Sequence, residues 1–106
     1  MIYRPDIWQV IEITSPTETI YKVFATWYGG YTAGEQWKLN SGITQVNLQD
    51  NTVEFTGTSG SVYICPRHES AYRTSAYSYG ILKQFLESKE YTVRVLPYDT
   101  NWEKLV

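Results

Sequence analysis

Little in these 106 residues is suited to covalent or metal chemistry: the chain has one cysteine and one histidine. A lone cysteine cannot close an internal disulfide, which excludes the disulfide-stapled secreted class and makes a reducing, cytoplasmic setting the expectation. Charge of one sign is also missing. Nine basic against eleven acidic side chains leave a formal charge of −2, so there is no bulk attraction for nucleic acid or anionic lipid. Long apolar runs are absent as well, and nothing approaches the roughly eighteen residues of a membrane span. The first ten residues, MIYRPDIWQV, put Arg4, Pro5 and Asp6 where a signal peptide needs an apolar core, so neither a span nor an export signal is expected.

What the chain does have is aromatic mass, with ten tyrosines, four tryptophans and three phenylalanines. Such side chains give a small domain a large apolar payload with polar handles at its rim. The length suits a single domain, 1–106, with one modest core.

Periodicity organises that mass. In IWQVIEIT, Ile7, Ile11 and Ile13 share a face with Gln9, and Trp8 and Val10 share the other with Glu12 and Thr14. This period of two, with apolar residues on both sides, describes a strand well inside a sheet. Turn chemistry at Ser15–Thr19 leads into IYKVFATWY, an antiparallel partner. The glycine-rich GGYTAG precedes QWKL; ITQVNL and TVEFT flank a tight connection and form a second hairpin; GTSG precedes SVYIC. After Pro66 the period changes. At about 100° per residue, Ser75, Ser78, Tyr79, Leu82, Phe85 and Leu86 fall on one side of a helix, and Arg73, Tyr77, Gln84 and Glu87 on the other. Thr74 or Ser75 can cap it, and Gly80 is expected to permit close packing on a sheet. YTVRVL returns to strand with Tyr91, Val93 and Val95 inward, and the tail docks through Trp102 and Leu105. The fold expectation is α+β: a mostly antiparallel meander of five to six short strands with one amphipathic helix on one face, in the order β-β-β-β-β-α-β. The helix would leave the other sheet face open.

Cys65 and His68 stand in a C-x-x-H relation, but a structural zinc site needs four ligands and the chain offers no further sulfur or imidazole. No metal or other cofactor is expected. The same two residues are the low-ranked candidates for a thiol nucleophile and its base, with Arg67 as the nearby positive charge. Against that, Cys65 closes a strand just before Pro66 instead of standing at a helix N-terminus. Gly29 and Gly34 have phosphate-loop spacing, yet Glu35 and Gln36 stand where Lys and Ser/Thr are required.

Recognition fits the composition better. Arg67, His68, Arg73 and Tyr77 lie between a strand end and the outward helix face, and arginine and tyrosine are enriched among the residues that dominate interfaces. A second aromatic patch is Trp27, Tyr28, Tyr31 and Trp37, whose rings could stack bases, though the loop lacks the cations that neutralise phosphate. The leading expectation is a non-enzymatic intracellular module that engages another protein through the Arg67–Arg73–Tyr77 patch or the open sheet face. An accessory or inhibitor protein of the kind a phage or mobile element encodes is one form of it. The alternatives are a small cysteine-dependent enzyme using Cys65 and His68, and a weak single-strand nucleic-acid binder. Self-pairing of an exposed sheet edge would give a homodimer.

Overall fold

The computed structural model describes residues 1–28 and 36–106. Its strands are β1 (Ile2–Tyr3), β2 (Ile7–Thr14), β3 (Thr19–Trp27), β4 (Gln36–Leu39), β5 (Ile43–Leu48), β6 (Thr52–Gly57) and β7 (Val62–Pro66). Helix α1 (Ala76–Leu86) and strand β8 (Thr92–Val95) follow, and single 3-10 turns occupy Glu69–Ala71 and Trp102–Lys104. The expected α+β composition holds: mostly strand, with one α-helix. The expected count and order do not: among the described residues eight strands form in place of five to six, seven before the helix and one after, and they do not make one sheet. The strands divide into two four-stranded sheets, β1-β7-β6-β5 and β4-β3-β2-β8, antiparallel throughout except for the β1–β7 pair.

The reason lies in β2 and β3. Both carry apolar residues on both faces, so both faces need cover. One face, with Trp8, Val10, Val23 and Ala25, packs against Val53, Phe55, Tyr63 and Cys65 of the first sheet. The opposite face, with Ile11, Ile13 and Phe24, packs against Leu82, Ile81, Phe85 and Leu86 of α1. The result is sheet on sheet with a helix outside the second sheet, and the face expected to stay open beneath the helix-bearing sheet is the main core. As its two-faced pattern requires, β2 is a central strand, paired with β3 on one side and β8 on the other.

The helix departs from expectation at two positions. Ser75 is the N-cap, its hydroxyl accepting from the Ser78 amide at 3.1 Å. The inward stripe is Ser78, Ile81, Leu82, Phe85 and Leu86; it takes in Ile81, which the sequence pattern did not place there, and leaves Tyr79, at its edge, exposed. Gly80 likewise faces outward, where a Cβ would meet nothing within 4 Å; it does not serve close packing on the sheet.

The C-terminal segment is locked down by aromatic contacts and one phenol. Trp102 is buried against Trp8 and Phe55, and Leu105 packs on the same cluster. Tyr72 donates its hydroxyl hydrogen to the Leu96 carbonyl and accepts from the Val10 amide at 3.2 Å, bridging the loop before α1 to the backbone of β2 and the end of β8. Burial pushes this phenol up to about 12.

Two substitutions test this packing. Gly80→Ala should raise stability by about 1 kcal/mol, because it removes a backbone-entropy cost at an exposed helical position and meets no neighbour; thermal and denaturant unfolding would show it. Tyr72→Phe should cost about 1–3 kcal/mol by leaving a buried donor and acceptor without their shared partner. The phenol's folded pKa of about 12 exceeds its ordinary value of 10.0, so its stabilisation is present below pH 10 and is lost as pH rises through 12. The gap between wild type and Tyr72→Phe in denaturant melts should therefore narrow over that interval.

Candidate functional site

Cys65 and His68 part company at the end of β7. Cys65 alternates with Ile64 and Pro66 and so points between the two sheets, where it is fully buried with its Sγ 3.9 Å from the Tyr63 carbonyl. Burial pushes the thiol well above its ordinary range, and a thiol held neutral and inaccessible is a poor nucleophile. His68 is exposed at the start of the 3-10 turn. This geometry gives the thiol–imidazole pair no common space for a substrate. Among the described residues no three of His, Cys, Asp and Glu gather as a metal would require.

The basic patch also divides. Arg67 directs Nη1 to the Gln49 carbonyl at 2.9 Å, and its amide donates to the Asn51 carbonyl, both on the β5–β6 turn of the first sheet. Arg73 turns to the other sheet. Its Nε donates to the Ser70 carbonyl at 3.1 Å, its Nη2 to the Tyr28 hydroxyl, and its guanidinium lies 5.8 Å from the centre of the Tyr28 ring. Tyr28 is itself anchored, its amide donating to an Asp6 carboxylate oxygen at 2.8 Å. The structure thus joins one member of each expected patch, across 45 positions of sequence, and separates Arg67 from Arg73. Tyr77 is exposed on α1 as its helical position requires.

The other aromatic candidates are divided by strand alternation. Trp37 pairs with Thr26 in the β3–β4 ladder, so it faces the helix side, where it stacks on Phe24 at 5.7 Å and meets Phe85 edge-on at 6.0 Å. Trp27 is on the opposite face, edge-on to Tyr3 at 6.1 Å, with Nε1 donating to the Arg4 carbonyl at 2.9 Å. The two indoles cannot form one stacking platform. Tyr31, and the Gly29–Gly34 spacing with Glu35, lie outside the described residues.

A groove of about 560 Å³ opens beside the last turn of α1, where the helix stops short of covering the second sheet. Its floor is the cross-strand row Ile20–Ile13–Val93, with Leu39, Phe85 and Tyr91 as apolar walls. Lys22 and Glu18 enter it from β3 and the residue before it, and Ser15, Gln84 and Ser88 stand at the rim. Sequence reasoning singled out neither this groove nor Lys22. A signal was present: Ile20, Lys22 and Phe24 alternate on one face of β3, and a lysine between two apolar neighbours on a strand face is an anomaly of period two.

Set against known proteins, the chain matches no family model, no curated protein and no solved structure. Its activity has to be argued from its own side chains.

The buried thiol gives one direct check. Iodoacetamide at pH 8 should leave Cys65 of the native protein essentially unlabelled and modify it fully in guanidinium chloride. Rapid labelling of the native protein would place the thiol at the surface and reopen nucleophilic chemistry.

Proposed function

We propose that the protein is a non-enzymatic binding module that engages another protein through its helix-bearing side, at the surface formed by Tyr28, Arg73 and Tyr77. One observation carries this reading. Every exposed aromatic among the described residues, namely Tyr28, Trp37, Tyr77, Tyr79 and Tyr91, belongs to α1 or to strands of the second sheet and their ends. The first sheet exposes no aromatic ring of this kind. Tyrosine presents a large, stiff, amphipathic contact at low entropic cost, and arginine adds planar hydrogen bonding; both are the common anchors of interfaces. Arg73 is already held over Tyr28, so a partner would meet a pre-ordered pair instead of two free side chains.

A cysteine-dependent enzyme draws less support, because Cys65 lies between the sheets while His68 is outside. Single-strand binding draws less as well, because Trp27 and Trp37 occupy opposite faces and only scattered cations accompany them. Membrane insertion through a helix has no candidate: no helix among the described residues is long and apolar enough to cross.

The test is affinity capture from native host cells with three baits: wild type, Arg73→Ala/Tyr77→Ala, and a control, Gln45→Ala/Glu54→Ala, on strands β5 and β6. A specific partner should be lost by about tenfold or more with the first pair and kept with the control, as expected when hot-spot anchors are truncated. Equal recovery with Arg73 and Tyr77 removed, in protein whose circular dichroism is unchanged, would discard this surface.

A further inference from the structure

The groove beside α1 has a composition that selects its occupant. Its floor, Ile20, Ile13 and Val93, is a row of side chains standing on three hydrogen-bonded strands, β3, β2 and β8. At about 4.8 Å between neighbouring strands, the row is roughly 10 Å long. One step further along β3, on the same face, stands Lys22, opposite Ile11 and between Ile20 and Phe24. Lys22 is only partly exposed, and among the described residues its ammonium has no carboxylate within 4.0 Å: the ion pairs formed are Lys83–Glu87 and Arg94–Glu12. Its stem lies along the apolar row while its ammonium, at the open groove, is left to pair with an anion. Glu18 lies four residues back along the chain, roughly 13 Å away in extended backbone, at the hairpin end of the groove. The two side chains form no ion pair.

We propose that this groove binds a small amphiphilic carboxylate, a monocarboxylic acid with an alkyl body that lies on the Ile20–Ile13–Val93 row and a carboxylate that pairs with the Lys22 ammonium. A groove of 560 Å³ is within the range of small-molecule sites, which run from about 300 to 1,000 Å³. An alkyl chain suits the floor better than a peptide does. The backbone beneath the floor is committed to the sheet and offers a peptide no ladder to join, so the floor supplies apolar contact only, which an alkyl chain uses fully. The site is separate from the Tyr28–Arg73–Tyr77 surface and does not depend on it.

The experiment is isothermal titration calorimetry of the full chain with sodium hexanoate, octanoate and decanoate below their micelle-forming concentrations, and with octan-1-ol as the uncharged control. Saturable binding at one site is expected, tightening by up to about fourfold for each added methylene. Lys22→Met keeps an apolar stem over the same surface and removes the charge; it should weaken octanoate by about tenfold or more while leaving octan-1-ol unchanged. Amide shifts on octanoate addition should centre on Ile13, Ile20 and Val93. Failure of all three acids to saturate, as expected of a groove that seats only a protein chain, overturns the proposal, and so does equal octanoate affinity in Lys22→Met. Arg73→Ala/Tyr77→Ala should bind octanoate like wild type whatever the capture experiment returns, so the two readings fail independently.

Discussion

Trp8 is the side chain on which the rest of the architecture depends. It is fully buried, and its ring touches Phe55 at 5.6 Å, Tyr72 at 4.7 Å and Trp102 at 5.5 Å between ring centres. A buried indole also needs a partner for its N–H, and Nε1 finds it in the Pro66 carbonyl at 2.7 Å. That bond runs from β2 of one sheet to the end of β7 of the other. It therefore fixes the relation of the two sheets at one point, and the aromatic ring of contacts brings the loop before α1 and the C-terminal turn to the same point. Tyr98, on Tyr72 at 5.7 Å, extends the cluster outward.

Closing the sheets over Trp8 decides which surfaces are left for function. The inter-sheet face takes Cys65, Tyr63 and Val53 out of contact with solvent, and with them the thiol. Further out, the same face of the second sheet ends in a polar pair. Arg94 Nε donates to Glu12 Oε1 at 2.7 Å and holds that carboxyl below its ordinary value, with Tyr21 a minor contributor. Charge at this rim is spent internally. The exposed aromatics, and Lys22, which forms no ion pair among the described residues, are on the opposite side of that sheet or around the helix.

Most elements were legible along the chain. The alternation in IWQVIEIT identified a central strand; the break at Pro66 and the Ser75 cap located the helix to within a residue or two; Trp102 and Leu105 marked a docking tail. The helix face was legible only in part, because Tyr79 and Ile81 compete for the flank of one stripe and the choice depends on which sheet surface the helix meets. Of the expected site residues, Arg73 meets Tyr28 and Tyr77 is exposed on α1, whereas Arg67 bonds to the β5–β6 turn and Trp27 and Trp37 are back to back across β3 and β4. Whether an arginine reaches Gln49 or Tyr28 is set by loop path, which local periodicity does not encode.

Sequence alone determined that β2 is apolar on both faces, that one helix follows a run of extended segments and precedes a last strand, and that one cysteine and one histidine are all the sulfur and imidazole ligands the chain offers. Those are properties of short windows, governed by backbone period and residue type. Only the tertiary structure decided what covers each face: a second sheet on one side, a helix too short for its sheet on the other. Cover is supplied by residues tens of positions away, through packing and loop closure, and so the groove at Lys22 and the Arg73–Tyr28 pair came into being with the fold.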